Sequence, residues 1–352
     1  MLIGRKEIKM AEYLPPEVSS VIDLVDTYLK WTSATAPDRG HERYHPSAWG
    51  QCLRKMQYQR YVERGWLSTA PEEHAPFLLR IFGNGHSMHD RWRSYFEGLG
   101  VIKGYWKCQN PACGFVDNNG NIDSSLKVAD LLADPGHFLK LRREYGRDEL
   151  HGVFRPEKCI CGWNKFHYDE ISVVDEQLNF YGHADMILDF SRFDPGKFSQ
   201  VPQSYKIADL PTKPVVVDMK SCNHFDFQEV AKGNPHSYYE VQLMVYANIL
   251  KCDYGILIYE NKNNQRTAAF RIDRNEDTLW PQIRQQAILM NDMVEVVDDD
   301  GNVHHLLPPP RPAFQDSKDC TYCQFKDVCH TSAIWEDPEL QKKRKEFYGD
   351  LI

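Results

Sequence analysis

The chain has 352 residues, a net charge of −8, and 42% hydrophobic against 26% charged residues. That length buries a substantial core, in one large domain with insertions or in two domains, and the composition is globular. No apolar run approaches a bilayer span, the charged stretch MLIGRKEIKMAEYLPPEV lacks the unbroken apolar segment of a secretory signal, and the negative balance argues against a uniformly basic coat for nucleic acid. A cytoplasmic protein is expected.

Residues 1–46 read as an N-terminal extension. Residues 47–104 form a helical region, SAWGQCLRKMQYQRYVERGW followed by PFLLRIFGNGHSMHDRWRSYFEGLG, the latter with apolar residues at helical spacing and a terminal glycine. Residues 105–165 begin and end with cysteine-glycine turns around a charged, helical middle, as an inserted module would. The period then changes to two: HYDEISVVDEQLNFYGHADMILDF reads as a hairpin whose second strand runs through Asp185. After a polar, proline-punctuated loop come a strand (VVVDMKS), an amphipathic helix (HSYYEVQLMVYANILK) and a strand with its partner (YGILIYE, RTAAFRID). A helix (EDTLWPQIRQQAILMNDMVEVV) and a proline-rich passage lead to the last cysteines. There is no internal repeat. The order predicts an α/β (α+β) fold, a mixed sheet flanked by helices.

VVVDMKS carries the sharpest question. Three valines suit a sheet interior, yet Asp218 and Lys220 follow, on one face, with Met219 opposed. An acid and an amine at a strand's end are either a structural ion pair or the edge of a reaction centre. Elsewhere, GNGHSMHD places His86 and His89 on a helix, GHAD ends in Asp185, and Gln242 and Tyr246 share a helix face.

Ten cysteines in a reducing compartment favour metal over a disulfide framework. Cys320, Cys323 and Cys329 have the spacing C-x2-C-x5-C, and Cys52 could supply a fourth thiolate; four thiolates suit iron-sulfur or zinc. Cys108, Cys113, Cys159 and Cys161 look like two zinc-ribbon knuckles, with Gly114 and Gly162 after each second cysteine and Trp106 and Trp163 as a small core. Their x4 and x1 spacings depart from the usual x2, and the alternative is four unligated thiols. Cys222 and Cys252 read as buried thiols. Basic clusters at 54–64, 140–147 and 342–345 are solvated helix faces or, where aromatics interleave, single-strand contacts.

Together these motifs resemble the RecB-like branch of the PD-(D/E)XK nuclease superfamily: a helical His, then G-x-x-D, D/E-x-K and Q-x-x-x-Y, here His89, Gly182 to Asp185, Asp218 to Lys220, and Gln242 to Tyr246. The resemblance implies a restriction-endonuclease-like core over 166–305. It implies a site in which Asp185, Asp218, His89 and the Met219 carbonyl hold Mg²⁺ or Mn²⁺ while Lys220 orients or deprotonates the attacking water. Gln242 and Tyr246 would position Lys220 or the DNA backbone, and Tyr259 and Glu260 would lie behind the site, Tyr259 as packing. His89 is preferred over His86 because Gly85 stands four residues before it; Asp218 stands where many relatives carry glutamate. Cys52 ahead of Arg54 and Tyr58, with the terminal cysteines of 306–352, resembles the [4Fe-4S] staple of AddB-type and CRISPR-associated (Cas-four-like) relatives. The implied activity is an exonuclease on single-stranded or frayed DNA ends in recombination, repair or CRISPR spacer processing, as a ring-like homo-oligomer or with a helicase partner, since no G-x-x-x-x-G-K-[ST] occurs. The alternative is a non-catalytic iron-sulfur DNA-binding adaptor or redox sensor with a vestigial nuclease site.

Overall fold

The computed structural model describes residues 16–35, 42–50, 52–65, 67–68, 74–110, 150–159, 163–198, 210–291, 296–297, 303–304, 320, 323–331 and 342. Four helices come first: α1 (Pro16–Thr35), α2 (Pro46–Trp49), α3 (Leu53–Glu63) and α4 (Pro76–Leu99). Then come β1 (Ile102–Cys108), β2 (Val153–Phe154), β3 (Phe166–Asp169), β4 (Ile171–Asp175), β5 (Phe180–Ala184), β6 (Met186–Leu188) and β7 (Val215–Cys222). Helices α5 (His224–Val230) and α6 (Ser237–Ile249) precede β8 (Tyr254–Asn261), β9 (Thr267–Asp273) and α7 (Leu279–Asn291). Two short strands, β10 (Val296–Val297) and β11 (Val303–His304), and α8 (Lys326–Thr331) follow. The stretch expected as an N-terminal extension thus contains α1, which packs on α4 and is tied to it by Arg80 and Asp26.

The main sheet runs β2-β1-β6-β7-β8-β9, with β3 also paired to β1. Only β7 and β8 run parallel within it; the other pairings are antiparallel. The fold is therefore a mixed α/β architecture. The parallel pair needs a crossover, and α5 and α6 supply it. β7 is buried on both faces: Val215, Val217 and Met219 join Met88 and, at its edge, Trp92 of α4, while Val216 joins Leu243 and Val245 of α6. Its alternating side chains therefore place Asp218 and Lys220 on the α6 side. The boundary expected at residue 105 falls inside β1, so the insertion leaves from a strand of the main sheet.

The expected hairpin differs in one respect that matters. Its second strand does not run through Asp185; the chain bends there, between β5 and β6, and the first strand breaks at Glu170, between β3 and β4. β4 and β5 pair only with each other, while β3 and β6 both pair with β1. Past the break the β4-β5 pair folds over Tyr44 and Trp49, whose rings pack on Phe180.

The basic stretch 54–64 is neither a solvated face nor an open nucleic-acid surface. Arg54 and Arg60 are 2% and 3% exposed, with Tyr58 and Tyr61 buried beside them. Arg60 lies over the Tyr44 ring, donates to its hydroxyl, and donates to the Met290 carbonyl at 3.1 Å. The other two basic clusters lie outside the described residues, except Lys342. Among the described residues no helix is long and apolar enough to cross a membrane.

Candidate active site

The candidate residues gather toward the carboxyl ends of the parallel strands β7 and β8, the end at which ligands of parallel sheets usually sit. Asp218 is 1% exposed there. Lys220 Nζ donates to its Oδ1 at 3.1 Å and stands 2.8 Å from Oδ2, an ion pair whose second contact is poorly angled for a hydrogen bond. Gln242 Nε2, from α6, lies 3.1 Å from the same Oδ1 and 3.3 Å from the Tyr246 hydroxyl. Gln242 and Tyr246 are both buried, so they hold Asp218 in place and do not reach a DNA backbone. The glycine of G-x-x-D makes room for this chain: a Cβ on Gly182 would lie 3.0 Å from the Tyr246 hydroxyl. On the open side the Lys220 ammonium lies 4.5 Å from the Tyr239 ring centre.

On the other side of β7, α4 brings in His89, while His86 is exposed. His89 Nε2 lies 3.1 Å from the Met219 carbonyl, and Nδ1 lies 3.5 Å from Asp185 Oδ1. The Met219 amide donates to Asp185 Oδ2 at 2.8 Å. The backbone of Met219, expected as a ligand through its carbonyl, here holds His89 and Asp185 in position. Among the described residues, the group whose ligand atoms lie within 4.8 Å of one another is His89, Glu170 and Asp185. Asp218 is not in it, because its carboxylate is turned to Lys220 and Gln242.

Glu170 is the site residue that motif reading missed. In the β4-β5 ladder Ile171 faces Ala184, so Glu170 faces Asp185 one step on; in the β6-β7 ladder Met186 faces Val217, so Asp185 faces Asp218 one step on. Glu170, Asp185 and Asp218 therefore follow one another just past the ends of the two ladders, near enough for Asp185 and Glu170 both to act on the Asp218 carboxyl. The signal was in the sequence: counting outward from the Glu176 to Asn179 turn pairs Glu170 with Asp185, provided the register is known.

Burial is the largest influence on Asp218 and pushes its carboxyl up to about 7; Lys220 opposes the rise, and Asp185 and Glu170 add to it. Burial alone would lower the Lys220 ammonium, but the Asp218 and Asp185 carboxylates outweigh it and the net direction is upward. Lys220 is thus protonated through the neutral range. Of the two β8 residues behind the site, Tyr259 is packing, its hydroxyl accepting from the His236 amide at 3.0 Å. Glu260 ties α4 to the sheet: Trp92 Nε1 donates to it at 2.7 Å and Arg91 pairs with it.

Cys52 caps the start of α3, and Cys323 and Cys329 pack beside Phe325, which stacks on Tyr58 at 5.3 Å between ring centres. The Cys52 thiol is raised first by burial and further by Cys329 and Cys323; Cys323 is raised first by burial and further by Cys329 and Cys320, with Lys55 opposing. The four cysteines expected to form one set thus share one neighbourhood. No three of their thiols lie within 4.8 Å of one another, whereas thiolates on a single tetrahedral zinc stand about 3.8 Å apart. Of the knuckle cysteines, Cys108 ends β1 opposite Phe166, and the Cys159 amide donates to the Trp163 carbonyl at 2.7 Å. Cys113 and Cys161 lie outside the described residues. Cys222 and Cys252 are buried, as expected.

No family model matches the chain, and no curated protein matches it. The crystal structure of SSO0001 is a structural neighbour at 14% identity and a TM-score of 0.37, covering 89% of this chain and 96% of that one.

Proposed function

We propose that this protein is a metal-dependent DNA nuclease of the PD-(D/E)XK type, with a RecB-like, restriction-endonuclease-like core, that hydrolyses phosphodiesters at single-stranded or frayed DNA ends. One observation carries the reading: Glu170 and Asp185 gathered with His89, close enough to act on Asp218, which is paired with Lys220 on the same strand. Like charges placed directly opposite are destabilising. A protein keeps them together where a cation and an anionic substrate repay the cost.

The donor set fits the cation. Carboxylate oxygens with one imidazole suit Mg²⁺ and, better, Mn²⁺. With His89 Nε2 directed to the Met219 carbonyl, the Nδ1 lone pair faces Asp185 Oδ1, an acceptor-to-acceptor contact that a cation relieves. Asp185 and His89, with Asp218 behind, would hold the ion. When bound, it would offset phosphoryl charge and lower the pKa of an attacking water.

The protein's own groups do the rest. Lys220, kept protonated by Asp218 and Asp185, donates to the attacking water or a phosphate oxygen and does not act as the base. Gln242 and Tyr246 keep Asp218 turned to Lys220. Through Glu260, α4 keeps His89 over Met219. Cys52, Cys320, Cys323 and Cys329, which share one neighbourhood, would hold a [4Fe-4S] cluster. Cys108 and Cys159 would contribute to a zinc-ribbon-like module in the insertion.

The deciding experiment uses anaerobically purified protein on end-labelled linear and closed circular DNA, single and double stranded, with Mn²⁺ or EDTA. Cleavage should require the ion and should vanish in Asp218→Ala and Lys220→Ala proteins that still unfold cooperatively. Undiminished cleavage by either variant refutes the assignment.

A further inference from the structure

Resting on the metal-dependent reading above, we propose that Glu170 is a third protein ligand of the divalent cation, beside His89 and Asp185, and that Arg93 is the partner it exchanges for the metal. Three observations lead there. The ligand atoms of His89, Glu170 and Asp185 lie within 4.8 Å of one another, the spacing one ion needs. Asp218 lies outside that group, with Oδ1 taken by Lys220 and Gln242, whereas the Glu170 side chain is 35% exposed and held by Arg93 alone among the contacts seen. Finally, Glu170 and Asp185 flank the last pair of the β4-β5 ladder, Ile171 with Ala184, and two carboxylates so close repel unless a cation lies between them.

Without a metal, that cation is Arg93. Its guanidinium pairs with Glu170 while Nε donates to the Asp185 carbonyl at 3.3 Å, and it lies 5.1 Å from the Tyr168 ring centre and 3.4 Å from Asp90. Releasing Glu170 leaves Arg93 with its three other contacts. The exchange therefore exposes no unpaired buried charge, and Glu170 swings from a fixed cation to a captured one.

The two roles of Glu170 predict opposite signs. As a ligand, its loss weakens the metal; as a partner of Arg93 alone, its loss and the loss of Arg93 act alike. The test is Mn²⁺ alone, titrated into the purified full chain and read by electron paramagnetic resonance, so no turnover is needed. Glu170→Gln should bind Mn²⁺ at least about 10-fold more weakly, the loss that removing even an outer-shell partner brings, Arg93→Gln should bind as tightly as the parent or tighter, and Asp185→Asn should lose binding. Wild-type affinity in Glu170→Gln, or a shift of the same sign in Arg93→Gln, overturns the proposal while leaving the metal-dependent reading intact. A parent protein that binds no Mn²⁺ overturns both. Should Glu170→Gln fail to fold, Glu170→Asp keeps the charge but shortens the reach; it should weaken binding less steeply, and unchanged affinity there also overturns the proposal.

Discussion

Replacing Asp218 by asparagine tests the electrostatics of the centre without any substrate. In metal-free protein, burial raises the Asp218 carboxyl from 3.8 to about 7. The native state therefore retains a proton that the unfolded chain has released throughout that window. The sign follows from linkage: this group's contribution is fully present below pH 3.8 and is lost as pH rises through about 7. A shift of roughly three units corresponds to on the order of 4 kcal/mol, undiminished by solvent because Asp218 is 1% exposed. Urea unfolding in EDTA at pH 4 to 8 should show the parent losing stability by about that amount relative to Asp218→Asn, whose own curve is flatter. Saturating Mn²⁺ should remove most of the difference in slope by holding the carboxylate ionised. Parallel curves for parent and variant from pH 4 to 8 would mean that Asp218 does not titrate there, and the account of its burial would be wrong.

Glu260→Gln should cost about 1–3 kcal/mol of stability, because it weakens a buried acceptor of Trp92 and the ion pair with Arg91, and should also weaken Mn²⁺ binding through α4 and His89. Unchanged denaturation and unchanged binding would remove Glu260 from any positioning role. Cys52→Ala should abolish a brown iron-sulfur absorbance and lower the unfolding midpoint, whereas Cys222→Ala should leave the colour intact; a Cys52→Ala protein as coloured as the parent would exclude Cys52 from the cluster.

The strand from Val215, the helix from Ser237 and the strands from Tyr254 and Thr267 were legible because period two and period 3.6 are local properties. So was the sharing of one face by Asp218 and Lys220, since alternation follows from the pleat. The basic aromatic stretch at 54–64 misled for a converse reason. Arg60 is buried because Tyr44 and the Met290 carbonyl, far off in the chain, take its donors, and no local pattern records that.

What joins the site is register, and register belongs to pairing between distant segments. The hairpin's own register brings residues 170 and 185 together, and residue 218 joined them only when β6 paired with β7. Composition and periodicity announced that charges would stand at the end of a buried strand. Which carboxylates meet, which amine stays protonated and which arginine shares their glutamate depended on the packing of α4 and α6 against the two faces of one sheet.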